Sequence, residues 1–156
     1  MREKYAHISH EYDVWHVAKN IVKKITEKAK SKKHEALLPW IRSISNHFWW
    51  CCCKCEGDEQ LLKEMWLSLL HHICGTHEWS SGTKFHRCTH DIRPQQEENV
   101  AYLDRDSDTF AVLKSIVMNK TLIKALHNLT QFCHTGELEV YHSMYLKYCP
   151  KRQHFA

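Results

Sequence analysis

Glycine and proline are scarce in this sequence. The 156 residues include four glycines and three prolines, and hydrophobic residues make up 43% of the chain. This composition excludes a disordered tail, because such segments are poor in apolar residues and rich in chain breakers. The length is enough for one ordinary domain with a real core. We therefore expect a folded unit.

Long apolar segments are also missing. No run approaches the ~20 residues that a helix needs to span a bilayer, so we expect no membrane-spanning segment. The first ten residues, "MREKYAHISH", have no apolar core of a secretory signal, so the protein is not expected to be secreted. The eight cysteines should then lie in a reducing compartment, as free thiols or metal ligands, and the fourteen histidines are further candidate metal ligands.

A strong charge of either sign is absent as well. The net charge is +4, from 22 basic and 18 acidic residues. A mildly basic balance is compatible with DNA as a partner but does not by itself indicate one. The lysines that follow residue 18 have a simple alternative interpretation, namely the solvated face of a helix.

Hydrophobic periodicity predicts a mainly α fold. One short strand is expected near the N-terminus, ending near Asp13, and a lone strand needs partners that this chain does not supply. An irregular polar segment is expected over 78–108. Helices are predicted over 14–33, 34–51, 58–73, 107–119, 120–132 and 135–149.

Two acidic residues are each followed by a histidine three positions later. These pairs are Asp13 with His16, in "HEYDVWH", and Glu139 with His142, in "LEVYHS". Carboxylates that converge from distant segments can hold Mg²⁺, and two such ions can clamp the oxygens of phosphoryl transfer. From spacing alone, a helix cap or a surface pair is the more common explanation of such a motif.

Several longer stretches resemble a class of transposon-derived animal proteins. They are "DVWHVAKNIVKKI", "PWIRSISNHFWWC", "GDEQLLKEMWLSLLHHI", the later "CTH" and "HTGELEVYHSMYLKYCPKRQHF". These proteins are similar to the later part of cut-and-paste transposases with an RNase H-like catalytic domain. The resemblance covers residues 10–155.

The resemblance implies particular roles for a few residues. Asp13 and His16 match an Asp-x-x-His motif that carries the second catalytic Asp, and Glu139 matches the catalytic Glu, with Glu137 as its competitor. The implied partner is DNA and the implied ions are Mg²⁺. The first catalytic Asp of such enzymes lies well upstream, whereas only twelve residues precede Asp13. The resemblance therefore implies an incomplete enzyme that is inactive alone. We expect the protein in the nucleus or otherwise in the cytoplasm, and whether it self-associates stays open.

A second group of candidate residues consists of cysteines and histidines. Cys52 and Cys55 have the spacing of half a zinc site, and with His71 and His77 they match a zinc-finger pattern. Geometry argues against that set, because the ends of a helix over 58–73 lie ~22 Å apart. Two other sets remain open. One is local, with His72, His77, Cys88 and His90, and the other combines Cys52, Cys55, Cys88 and His90.

Two functional hypotheses follow from these patterns. The first is a partial transposase-like protein, a mainly α chain that keeps part of an RNase H-like α/β domain. Residues 1–35 would form a strand and a helix, and residues 36–134 would form a helical insertion with a Cys/His loop. Residues 135–156 would form the helix that carries the catalytic Glu, followed by a basic tail. The second is a helical interaction module, stabilised by structural Zn²⁺, that binds protein or DNA without catalysis. Free thiols and ordinary surface histidines are the simpler alternative to a zinc site.

Overall fold

Helices make up most of the described part of the chain. The structure is a computed structural model, and it describes residues 10–90 and 101–148. The α-helices are α1 (Val14–Ala29), α2 (Ile41–Lys54), α3 (Glu59–Leu67), α4 (Leu69–His72), α5 (Asp108–Val117), α6 (Lys120–Ala125) and α7 (Gly136–Tyr148), and two 3₁₀ segments cover Lys32–Trp40 and Leu126–Leu129. The prediction of a mainly α chain is thus confirmed.

The predicted N-terminal strand is not present where the structure can be compared with it. Residues 10–13 form no strand, and the earlier part of the predicted strand lies outside the described residues. The backbone here instead bonds to the second 3₁₀ segment and to the chain after it, with Tyr12 N–H donating to Asn128 O at 2.7 Å and Val14 N–H to Cys133 O at 3.0 Å. Across 10–90 and 101–148 the sole β-type pairing is an isolated antiparallel bridge between Glu78 and Arg87.

The predicted helix over 34–51 is divided at Pro39. A 3₁₀ segment ends at Trp40 and α2 begins at Ile41. Proline lacks the N–H that an α-helix requires and disfavours α geometry in the residue before it, so the α-helix starts only after it. A second division falls within the predicted helix over 58–73, where Ser68 separates α3 from α4 and its hydroxyl donates to Met65 O at 2.7 Å.

One hydrophobic core joins α1 to the helices that follow. Trp66 is fully buried, meets Phe48 edge-on with ring centroids 5.2 Å apart, and donates its indole N–H to Val117 O at 3.0 Å. This bond satisfies a polar group that burial would otherwise penalise. Other core residues include Val14, Ile21, Ile25, Leu37, Ile44, Leu62, Ile73, Leu113, Leu126 and Leu129. The core therefore fixes α2, α3 and α4 as a platform for the polar loop after residue 75.

The last helix packs less than the others. Five large apolar side chains of α7 are more than half exposed, namely Leu138, Val140, Tyr141, Met144 and Tyr145. None of the helices in 10–90 and 101–148 combines the length and apolarity needed to cross a bilayer.

Candidate metal centre

A short hairpin-like loop follows the platform and carries three of the candidate ligands. Cys88 N–H donates to His77 O at 2.9 Å, and Trp79 N–H donates to His86 O at 2.8 Å. These bonds place the two arms of the loop side by side, with His77 opposite Cys88. In the part of the predicted irregular segment that reaches residue 88, the backbone is thus held by bonds within the loop.

The fourth candidate ligand lies at the end of the platform. His72 is the last residue of α4, and the chain leaves the helix through Gly75, whose φ is +72°. A side chain on Gly75 would meet the Tyr102 ring, since an added Cβ would lie 3.3 Å from it. The positive φ and the close ring both favour glycine, and they let the chain turn back so that the loop reaches His72.

His72, His77, Cys88 and His90 come together at one point. Each offers one ligand atom, and the four atoms all lie within 4.8 Å of one another. Cys88 Sγ lies 3.5 Å from His72 Nδ1, and His90 Nε2 lies at the same distance from that atom. This group could hold a metal ion such as zinc. It is the local set named from the sequence.

Partial burial shapes the electrostatics of the group. It lowers the pKa of His72 to about 4, and the neighbouring His77 and His90 act in the same direction. It also raises the pKa of the Cys88 thiol. An imidazole that stays neutral keeps its lone pair for a metal, whereas the thiol must lose its proton to become a ligand.

Neighbouring aromatic rings support two of the histidines. The Trp40 ring lies edge-on to His72, with centroids 6.2 Å apart, and its indole N–H donates to Ala101 O at 3.2 Å. The Tyr102 hydroxyl lies 3.4 Å from His77 Nε2. Metal-bound histidines commonly have a hydrogen-bond partner, like the Tyr102 hydroxyl here, at the ring nitrogen that does not bind the metal, and this partner fixes the orientation of the ring.

The tip of the loop is held by a carboxylate that sequence reasoning missed. Glu64, on α3, accepts hydrogen bonds from the backbone N–H groups of Thr83, Lys84 and Phe85 at 2.7 to 3.0 Å. Burial opposes its charged form, but the bonds from Lys84, Gln60, Thr83 and Phe85 outweigh that effect and lower the pKa of Glu64 to about 2. Glu64 therefore anchors the loop to the platform.

Gly82 allows this close approach. Its φ is +90°, and an added Cβ would lie 2.7 Å from Glu64 Oε2. Only a residue without a side chain fits both the backbone angle and the carboxylate. The sequence signal for this anchor is weak, since it consists of one acidic residue beside an apolar helix face and one glycine in a polar loop.

The alternative ligand set is not brought together. Cys52 and Cys55 are buried in the core, 1% and 0% exposed. Burial raises the pKa of Cys52 to about 12, and the Cys55 thiol donates to Cys52 O at 3.3 Å. Within 10–90 and 101–148, the one group of three or more potential ligands is that of His72, His77, Cys88 and His90.

The residues to which the resemblance assigns catalysis, Asp13, His16 and Glu139, lie near the junction of α1 and α7. His16 Nε2 is 3.6 Å from Glu139 Oε1, and Asp13 Oδ2 accepts from Thr135 N–H at 3.1 Å, one position before α7 begins. Asp13 Oδ1 also accepts from Trp15 N–H at 2.7 Å, so Asp13 is the N-cap of α1. Although partial burial works against the charged form, the bonds from Thr135 lower the pKa of Asp13.

Asp13 should therefore contribute to stability as a cap. We expect Asp13→Ala to lower the free energy of unfolding by about 1–2 kcal/mol, because the first turn of α1 and Thr135 both lose their acceptor. Asp13→Asn keeps an acceptor oxygen and is the matched control, with a smaller loss. Urea unfolding of the three chains measures the difference, and equal stability of wild type and Asp13→Ala would exclude this capping role.

Comparisons with family models, with curated proteins and with solved structures return no match to this chain.

Proposed function

We propose that this chain is a helical module stabilised by structural zinc, and that it serves as an interaction domain. The observation that carries the proposal is the convergence of four ligand atoms, within 4.8 Å of one another, from His72, His77, Cys88 and His90. One thiolate and three imidazoles suit Zn²⁺ and do not suit Mg²⁺ or Ca²⁺, which prefer oxygen ligands.

The spacing of the ligand atoms supports tetrahedral coordination. Bonds of about 2.0–2.3 Å to a tetrahedral zinc ion place neighbouring ligand atoms roughly 3.3–3.8 Å apart. The separations of Cys88 Sγ and of His90 Nε2 from His72 Nδ1, both 3.5 Å, already fall in that interval. Small movements of the loop side chains complete the site.

Zinc at this point would join the end of α4 to both arms of the loop. His72 belongs to the platform, whereas His77, Cys88 and His90 belong to the loop. The free energy of metal binding then becomes free energy of folding for a segment that buries little apolar surface. With His77 bound to zinc through Nδ1, its other ring nitrogen, Nε2, would stay paired with the Tyr102 hydroxyl.

Zinc analysis of two histidine variants tests the proposal. The purified full chain should contain about one zinc ion, and His77→Ala should lose it. His86→Ala is the matched control, because His86 lies in the same loop, is exposed, and is not in the group. Retention of zinc in His77→Ala, or a wild-type chain free of zinc after expression in zinc-supplemented medium, would refute the proposal.

We further propose that the module derives from a transposase-like nuclear protein that acted on DNA. The family resemblance suggests this origin, and the neighbouring positions of Asp13, His16 and Glu139 support it. In a complete relative, Asp13 and Glu139 would be ligands of Mg²⁺, which would supply charge stabilisation for phosphoryl transfer. His16, beside Glu139, would orient the carboxylate or contact a phosphate.

This chain alone should not cut DNA. A two-metal site of this class needs a further carboxylate, and Asp13 is occupied by Trp15 and Thr135. We expect no Mg²⁺-dependent nicking of a supercoiled plasmid above the background of Glu139→Gln. Nicking by the wild type that disappears in Glu139→Gln and persists in Glu137→Gln would show that the chain is a complete nuclease.

A further inference from the structure

A groove lies directly beside the candidate metal centre. It has a volume of about 320 Å³ and runs between α2 and the loop. His72, Cys88 and His90 form part of one wall, so the side chains that would hold zinc also border this space. The volume suits a small ring system, since ligand pockets begin at roughly 300 Å³.

Aromatic side chains line another part of the groove. The His47 ring stacks on Trp50 with centroids 5.7 Å apart, and Phe85 lies 6.0 Å from Trp50 on the loop side. Trp40 closes another part of the wall. His47 Nε2 lies 2.9 Å from Met65 O, and burial lowers the pKa of His47, which favours the neutral ring. These surfaces favour a flat apolar ring over a flexible chain.

Polar groups stand at the rim of the groove. Ser43 and Asn46 project from exposed positions of α2 on one side, and Thr89 lies on the other. The Asn46 amide has both a donor and acceptors, so it can pair with the edge of a heterocycle. Because these groups are exposed, they bond to water in the free protein, and a nitrogen-containing ring at the rim can exchange bonds with them.

A basic strip continues from the groove along the loop. A neighbouring cavity of about 740 Å³ is lined by the basic residues Lys84, His86 and Arg87 and by the acidic Glu78, which lies opposite Arg87 in the loop. It shares Phe85 and Cys88 with the groove. All three basic residues are exposed. Lys84 also pairs with Asp58, so Arg87 is the cation that we assign to an external anion, which would compete with Glu78 on the opposite arm of the loop.

The charges around the groove distinguish between two kinds of ligand that aromatic walls can bind, a cation and a neutral ring with an attached anion. An aromatic cage can also hold a methylated ammonium group, but among the described residues no carboxylate lines the groove. Zinc with one thiolate and three neutral imidazoles would carry a net charge of +1, beside Arg87 and Lys84. This positive field disfavours a cation and favours a neutral ring with an attached anion.

We propose that the groove binds a nucleotide, with the base against the aromatic wall of Trp40, Trp50 and Phe85 and the phosphate towards Arg87. The nucleotide is either a free mononucleotide or one unit of a single strand, because the recognised chemistry is the same. The inference rests on the proposed function in one respect, namely that zinc orders the wall carrying Phe85. The proposed nucleotide would occupy the aromatic groove, which zinc binding by itself does not require.

Quenching of tryptophan fluorescence tests the proposal on the zinc-loaded full chain. The ligands are adenosine 5′-monophosphate, inorganic phosphate and a short single-stranded thymidine oligonucleotide. We expect saturable binding of the mononucleotide or the oligonucleotide, and at least tenfold weaker binding of phosphate. Tighter binding of the oligonucleotide identifies a single strand, and equal binding identifies the free nucleotide. Absence of saturable binding of both by protein of verified zinc content would overturn the proposal.

Variants at the groove separate base stacking from simple charge attraction. Trp50→Ala should weaken binding about tenfold or more, and Ser43→Phe, which fills the groove without altering the core, should do the same. Trp15→Ala is the aromatic control, since Trp15 is exposed on α1. Arg87→Gln should weaken the phosphorylated ligands and Lys23→Gln should not. Oligonucleotide binding that survives both Trp50→Ala and Ser43→Phe would exclude the groove, whatever the zinc content.

Discussion

Replacing Cys88 with serine should remove zinc from the chain and lower the melting temperature by about 10 °C. The thiolate of Cys88 is the one sulfur ligand of the group, and a serine hydroxyl is a poor zinc ligand at neutral pH. Zinc present at about a thousand times its dissociation constant stabilises a fold by ~4 kcal/mol. For a chain of this length, each kcal/mol corresponds to roughly 2–4 °C.

Cys133→Ser is the matched control for this experiment. Cys133 is an exposed free thiol outside the group, so its replacement should change neither zinc content nor melting temperature. Chelator should lower the melting temperature of the wild type and of Cys133→Ser, and it should leave Cys88→Ser unchanged. An identical response of all three chains to chelator would mean that Cys88 does not bind a stabilising metal.

Glu64→Gln should destabilise the protein at neutral pH by on the order of 2 kcal/mol. The carboxylate accepts three backbone N–H groups of the loop, and a charged acceptor is worth more than a neutral amide. The amide also presents an N–H₂ group towards donors. Because the same bonds position the wall that carries Phe85, we expect zinc affinity to fall as well.

The contribution of Glu64 should depend on pH in a definite direction. Its pKa is lowered in the folded protein to about 2, from an ordinary value of 4.5. A lowered pKa stabilises the fold fully above the unfolded value, and the effect is lost as the pH falls through the folded value. The stability difference between wild type and Glu64→Gln should therefore be constant from pH 7 to 5 and shrink from pH 5 towards 2.

Urea unfolding at several pH values measures this difference. Glu27→Gln is the control, because Glu27 is exposed on α1, which is neither part of the platform nor of the loop. Its effect should stay small at every pH. A stability gap for Glu64→Gln that persists unchanged at pH 3 would mean that the charge of Glu64 is not what holds the loop.

Helix content was the part of the fold that the sequence predicted best. The apolar spacing of Val14, Val17, Ile21 and Ile25 predicts one buried stripe on α1. Val14, Ile21 and Ile25 are buried, and Val17 is partly buried against the core. Helix boundaries were less predictable. The division at Pro39 follows from the chemistry of proline, which the sequence shows, whereas the division at Ser68 accompanies one hydroxyl bonding to a carbonyl, which periodicity does not reveal.

The candidate site was predictable in its chemistry and not in its supports. The spacing of His72, His77, Cys88 and His90, at the end of a predicted helix and soon after it, was enough to name the group as one of two possible sets, because all four come from one short segment. Choosing between this set and the one with Cys52 and Cys55 required the return path of the chain. Glu64 and Tyr102 could not be found, since their roles depend on contacts across the fold rather than on spacing.

X-ray absorption at the zinc edge of the purified full chain tests the central claim most directly. The account predicts one zinc ion with three nitrogen ligands at about 2.0–2.1 Å and one sulfur at about 2.3 Å. The set with Cys52, Cys55, Cys88 and His90 would instead give three sulfurs and one nitrogen. A spectrum dominated by sulfur, or a chain without zinc, would contradict a centre formed by His72, His77, Cys88 and His90.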